Sequence, residues 1–222
     1  TNEQGLIGGA PIMGRDSGGG QNFAAMIEQP AQFDFYDGGG LDLAFLSFAE
    51  GDAEGNVNVS RFGDKIIGIG GFINISQNAK CVIFSGTLTA GDLDIGWEDG
   101  RTMIRREGRH RKFVPKLEQI CYSAAMGRAR GQVALFVTER AVFRVGADGL
   151  ELIEIAPGLD PERDVISKMG FRPVVARGLK AMDPRIFRPG LMGLAADIHA
   201  KPRAYRSERV ARWHETRSRA AT

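Results

Sequence analysis

The sequence predicts an α/β protein with an antiparallel excursion, and three observations carry that expectation. One is the continuous apolar run Lys80-Cys81-Val82-Ile83-Phe84-Ser85, which reads as a buried parallel strand. Another is the pair of dipeptides Asp99-Gly100 and Asp148-Gly149, each set between strand-like runs and each a hairpin signal. The third is a set of helix-start signals at Ser123, Asp160-Pro161 and Asp183-Pro184, where a capping side chain or a proline at the first helical position suits a helix N-terminus.

Taken in order, residues 33–36 and 41–48 read as strands on either side of the triplet Gly38-Gly39-Gly40. A polar turn, Glu50-Gly51-Asp52-Ala53-Glu54-Gly55, follows, and Val57-Asn58-Val59-Ser60 alternates as a short strand. A short helix is expected over Phe72–Gln77, after Gly70-Gly71. The first hairpin joins Asp92–Glu98 to Thr102–Glu107. Ser123 caps a helix through Arg130 that Gly131 ends. Val133–Val137, Ala141–Val145 and Leu150–Ile155 are three more strands, the last two joined by the second hairpin. Gly170 closes the helix begun at Asp160-Pro161. No repeat or low-complexity linker interrupts the chain, and one boundary is drawn near Ile198: a domain over residues 1–198, then a basic tail over 199–222.

The 222 residues are enough for one large core or two small ones. Hydrophobic residues at 43% and charged residues at 25% are ordinary for a globular protein. No apolar stretch reaches the ~18 residues that a membrane helix needs. Residues 1–20 are glycine-rich rather than apolar, so no signal peptide is expected. Two cysteines, Cys81 and Cys121, make no disulfide framework, which fits a reducing, cytoplasmic setting. His110, His199 and His214 lack metal-ligand spacing, and no metal is expected. The tail holds seven Lys/Arg against two Glu, while the rest holds 22 against 25. The main body is thus mildly acidic and the tail strongly basic.

Thirty glycines exceed average usage and cluster. Glu3-Gln4-Gly5-Leu6-Ile7-Gly8 sets a carboxylate in a glycine-rich run. Phe33-Asp34-Phe35-Tyr36-Asp37 leads into the glycine triplet, and Asn58-Val59-Ser60-Arg61-Phe62-Gly63 leads into Gly68-Ile69-Gly70-Gly71-Phe72. Val137-Thr138-Glu139-Arg140 closes the series. In this order and spacing, over roughly residues 1 to 195, the motifs resemble the C-terminal half of family I coenzyme A transferases. The likeness is strongest to acetate and propionate CoA-transferases. It implies the open α/β sheet shared with ribose-5-phosphate isomerases, here with antiparallel hairpin excursions.

The resemblance implies that Glu3 is a covalent nucleophile, since it falls on the glutamate of the family's E-x-G-x-x-G run. Such an enzyme moves coenzyme A from a short-chain acyl-CoA to a carboxylic acid such as acetate, through a glutamyl-CoA thioester and with ping-pong kinetics. CoA is then substrate and covalent intermediate, not a resident cofactor. The resemblance also points to the glycine triplet for the oxyanion, with Gly39 as the donor and Gly38 and Gly40 as neighbours; a tight turn without chemistry is the alternative. Gly68, Gly70 and Gly71 form a second close-approach loop at a helix start, suited to a phosphate or pantetheine amide, or else only a turn. Glu139, just past a buried strand, is either part of the site rim or a charge that orients its loop. Asp34, Asp37 and Asp42 suit local backbone bonding better than a metal.

Single-chain members of the family carry a homologous domain before the glutamate. Here Glu3 stands two residues from the start, so an N-terminal partner half is expected, as a separate chain or a cleaved fragment, with the full unit a homo-oligomer. The tail sets arginines around Tyr205 and Trp213, a composition that more often marks a solvated or subunit-docking extension than a nucleic-acid contact. Two other functions stay open. One is a non-enzymatic module that binds CoA esters or sugar phosphates. The other, a sugar-phosphate isomerase, lacks the basic cluster beside a glycine loop that its chemistry needs.

Overall fold

A computed structural model describes residues 1–12 and 18–201. The tail beyond Lys201 and residues 13–17 lie outside the described residues. Six strands form one mixed sheet in simple sequential order: β1 (Leu43–Ser47), β2 (Cys81–Ser85), β3 (Val133–Val137), β4 (Ala141–Gly146), β5 (Gly149–Ile155) and β6 (Val174–Ala181). The first three run parallel, β4 and β5 turn back as antiparallel neighbours, and β6 lies parallel to β5. Both expected hairpins form. In the first, Asp94–Glu98 pairs with Arg101–Arg106 across Asp99 and Gly100, both at positive φ. That is the geometry for which Asp-Gly is selected at a two-residue turn.

One segment differs from its expectation. Residues 33–36 lie in a helix, α1 (Gln29–Asp37), not a strand. Pro30 sits in the first turn, where its missing N–H costs nothing, and the glycine triplet supplies the exit. The run of aromatics is too short to show a period, so helix and strand were not separable by pattern. Helix α2 (Phe72–Asn78) follows Gly71, and Asp37 of α1 accepts from Asn74 and Asn78, tying the two helices together. Ser123 Oγ caps α3 (Ala124–Ala129) by accepting from the Met126 N–H, and Gly131 at φ 66° leads out of it. The signal at Asp160-Pro161 yields a π-turn, Pro161–Val165, running into a 3-10 turn, Ile166–Lys168. A last helix, α4 (Leu194–Ala200), runs across the boundary drawn at Ile198.

The larger core cluster lies on one face of the sheet, and a smaller one gathers Val142, Ala156, Met182 and Phe187. Alternation along β1, β2 and β3 turns Ala44, Val82, Phe84, Ala134 and Phe136 to the same side, and all are buried. Phe72 of α2 stacks on Phe84, Tyr122 meets Phe84 edge-on, and Phe48 and Phe113 close on Phe136. The other face of the same strands is apolar but open: Leu43, Phe45 and Val133 are 46%, 67% and 44% exposed. Parallel strands are normally covered on both faces.

Candidate active site

Glu3 is held by a turn that its neighbour builds. Asn2 Oδ1 accepts from the N–H groups of Gln4 and Leu6, and the Asn2 amide donates to the Gly18 carbonyl. Gly5 sits at φ 88°, and a Cβ there would come 2.0 Å from the Ile27 carbonyl oxygen. No other residue fits, because both the backbone angle and the space exclude a side chain. The turn leaves the Glu3 side chain half-buried and aimed at the start of α2. There Glu3 Oε2 accepts from the Gly71 N–H at 3.1 Å. A Cβ on Gly71 would lie 2.5 Å from the same oxygen. The bare backbone is therefore what lets the carboxylate approach.

Glu3 opens onto a cleft of about 500 Å³ lined by the N-terminal segment and by β1, including Leu43, Phe45 and Leu46. The cleft runs along the free edge of β1. The arrangement joins a carboxylate, a backbone donor and an apolar wall, which suits acyl chemistry on a small substrate.

Gly70 and Gly71 thus come together with Glu3, as a Cβ on Gly70 would lie 3.8 Å from either carboxylate oxygen. Gly68, at φ 90°, has open space around it and belongs to the loop that delivers them. The glycine triplet does not join them. Gly38, Gly39 and Gly40 donate their N–H groups to the Asp34, Tyr36 and Phe35 carbonyls, so they cap α1. Gly39 also lies beside residues 77–80, at the far end of α2 from Gly71. The structure does not bring Gly39 to Glu3: its N–H is taken by the Tyr36 carbonyl, and it lies beside the far end of α2 from Gly71.

Glu139 lies elsewhere on the carboxyl edge of the sheet, with both oxygens engaged. Oε1 accepts from Arg140 Nε and Oε2 from the Leu88 N–H. Arg140 is fully buried and was not singled out by sequence reasoning. It pairs with both oxygens of Glu107 and donates to the Asp164 carbonyl. Burial alone would raise the Glu107 carboxyl, but hydrogen bonds from Arg140 and Thr89 outweigh it and hold the group below its ordinary value. Its stability contribution is therefore complete above the ordinary carboxylate range and lost as pH falls through the lowered pKa.

Removing Arg140 would leave Glu139 and Glu107 uncompensated. Arg140→Met is expected to cost about 3–5 kcal/mol of stability, read as a lowered urea midpoint. An unchanged midpoint would mean that the carboxylates find other partners. Nearby, burial pushes Lys112 down to about 8, opposed by the charge of Glu139. Lys112 was also missed. Its only signal in the sequence is a place in the basic stretch that includes Arg109 and Arg111.

Fold and site together define an open α/β protein with a carboxylate anchored on a glycine-rich helix start. Acetate CoA-transferase YdiF of Escherichia coli K12 is 49% identical over 193 residues, 87% of this chain and 36% of its own. A caffeate CoA-transferase of Acetobacterium woodii is 40% identical over 199 residues, again 87% of this chain and 38% of its own. The crystal structure of the YdiF apoenzyme from Escherichia coli O157:H7 superposes with a TM-score of 0.81 over 87% of this chain and 36% of that one. A YdiF thioester complex with CoA gives 0.80 at 48% identity, over the same shares of the two chains. Glutaconate coenzyme A-transferase from Acidaminococcus fermentans shares the fold, with a TM-score of 0.62 at 18% identity over 89% of this chain and 76% of that one. No family model matches the sequence. The chain is a CoA-transferase family homologue. It spans about a third of the length of the curated relatives it matches.

Among the described residues no helix is long and apolar enough to cross a membrane.

Proposed function

We propose that this chain supplies the nucleophile-bearing part of a CoA-transferase that exchanges coenzyme A between a short-chain acyl-CoA and a carboxylic acid. The observation that carries this reading is the hydrogen bond from the Gly71 N–H to Oε2 of Glu3, a residue that lines the cleft. Glu3 attacks the thioester carbonyl and releases CoA thiolate, leaving a mixed anhydride. The thiolate then attacks the glutamyl carbonyl and expels the substrate's carboxylate, so the enzyme holds CoA as a thioester. An acceptor acid repeats the two steps in reverse. Each step passes through a tetrahedral oxyanion, and the Gly71 N–H stands where it can bind one. The test is intact-mass analysis after exposure to acetyl-CoA without an acceptor acid. A CoA adduct on the peptide containing Glu3 is expected, and an adduct on Glu139 would sink the assignment.

The rest of the CoA site belongs, in this reading, to a partner half that packs along the free edge of β1 and the open face of Leu43, Phe45 and Val133. The acid specificity would be shared with that half. A pocket separates acids that differ by one methylene by only about 1–3 kcal/mol.

The basic tail takes no part in catalysis in this reading. Truncation after Lys201, which spares α4, is expected to leave kcat within about threefold of the parent, less than 1 kcal/mol of barrier. A larger loss with retained folding would place the tail in the site or in the assembly. Salt-sensitive binding of a random DNA duplex would revive a nucleic-acid role.

A further inference from the structure

At the carboxyl edge of the parallel strands stands a cation that the chemistry at Glu3 does not use. Lys112 Nζ lies 3.9 Å from the centroid of the Phe48 ring, just after β1. It also lies against Gly86, just after β2, where an added Cβ would come within 2.5 Å of it. Among the described residues the ammonium forms no hydrogen bond and no ion pair, although it is half-buried. The charge that acts on it is that of Glu139, whose two oxygens are already committed to Arg140 and Leu88. Three strong donors are thus held in place by an aromatic ring and a glycine, without an acceptor among the described residues.

We propose that Lys112 is an anion-binding residue that receives a phosphate of acyl-CoA, at the end of the substrate remote from Glu3. The proposal rests on the CoA-transferase reading above. Several observations favour the phosphate end over the reacting acid. Gly71, which holds Glu3, is followed by Phe72, and a row of touching rings runs from Phe72 through Phe84 and Phe136 to Phe48 under the ammonium. A short acid at Glu3 does not span such a row. A CoA thioester is long, and its diphosphate and 3′-phosphate lie at the far end from the thioester. The surroundings carry the matching sign: residues 101–112 hold six Lys/Arg against one Glu, and Arg109 and Arg111 are exposed. A lysine is suited to this as a compact point charge that meets a phosphate from any side. With its pKa held near 8, the group remains mostly charged at neutral pH.

The test compares two thioesters that differ only in the phosphate-bearing part. Lys112→Met keeps an unbranched stem over Phe48 and removes the charge. Binding of acetyl-CoA, acetyl-pantetheine and adenosine 3′,5′-bisphosphate is measured by calorimetry on the native protein with any chain that co-purifies. Lys112→Met is expected to weaken acetyl-CoA and the bisphosphate about tenfold, while acetyl-pantetheine changes by less than about twofold. Lys112→Arg should restore most of the loss. Equal weakening of both thioesters would make Lys112 a support for Phe48 and overturn the proposal, as would no change in either. The Glu3 adduct in the parent keeps the two readings apart. If it forms while Lys112→Met binds normally, only this proposal fails. If there is neither adduct nor acetyl-CoA binding, the CoA reading fails as well.

Discussion

Glu3→Gln is expected to abolish CoA exchange in freshly purified protein while leaving binding of acyl-CoA intact. The amide keeps the shape of the carboxylate and can still accept from the Gly71 N–H, so the turn built by Asn2 and Gly5 has no reason to change. What is lost is the nucleophilic oxygen anion, and with it the covalent step that splits one hard transfer into easier ones. The loss should fall on kcat, because an interaction made only along the reaction path has been removed. Slow recovery on incubation would fit hydrolysis of the glutamine back to glutamate, and mass analysis would show it as the gain of the acid. Borohydride should inactivate the parent in the presence of acyl-CoA by reducing the thioester, and should leave Glu3→Gln unchanged. Transfer at the parent rate by fresh Glu3→Gln protein would remove Glu3 from the chemistry.

Gly71→Ala should cost almost as much, and it separates two glycine loops that look alike on paper. Gly71 has φ −80°, a value any residue adopts, so alanine brings no backbone strain. Its Cβ would nevertheless stand 2.5 Å from Glu3 Oε2 and 2.7 Å from the Phe33 ring. The carboxylate is the part free to move, and it moves off its donor. Loss of one such donor typically lowers kcat by about 10²–10³-fold, with folding largely retained. Gly39→Ala is the opposite case. Its surroundings are empty, but its φ is 79°, so the methyl meets strain without touching the site. That change should cost about 1–2 kcal/mol of stability and leave kcat within a few-fold. A collapse of kcat in Gly39→Ala, with Gly71→Ala unaffected, would return the oxyanion role to the triplet.

The contrast between those loops marks the boundary of what the sequence carries. Local chemistry is legible wherever a residue's own preferences decide the outcome. Asp99-Gly100 had to turn, because both positions need positive φ. Ser123 had to cap, because its side chain reaches an orphan N–H. Val82 and Phe84, within the run from Cys81 to Ser85, had to be buried, because apolar side chains of that size leave water. The spacing of the glutamate and glycine motifs likewise pointed to the CoA-transferase family before any geometry was known. Which glycine meets the glutamate was not legible. Gly39 and Gly71 are both glycines beside helices, and which end of α2 each lies beside is set by how α1, α2 and β1 pack. The same holds for Arg140 and Lys112. Each reads as one more cation in a charged stretch, and each takes its character from partners or rings brought from distant parts of the chain: Glu107 and the Asp164 carbonyl for Arg140, Phe48 and Gly86 for Lys112. Backbone angles and hydrogen bonds between near neighbours are properties of a few consecutive residues, so the sequence by itself determined the turns, the caps and the strand runs. Burial and long-range pairing depend on the whole folded chain, so only the tertiary structure decided which backbone donor faces Glu3 and which ring lies under Lys112.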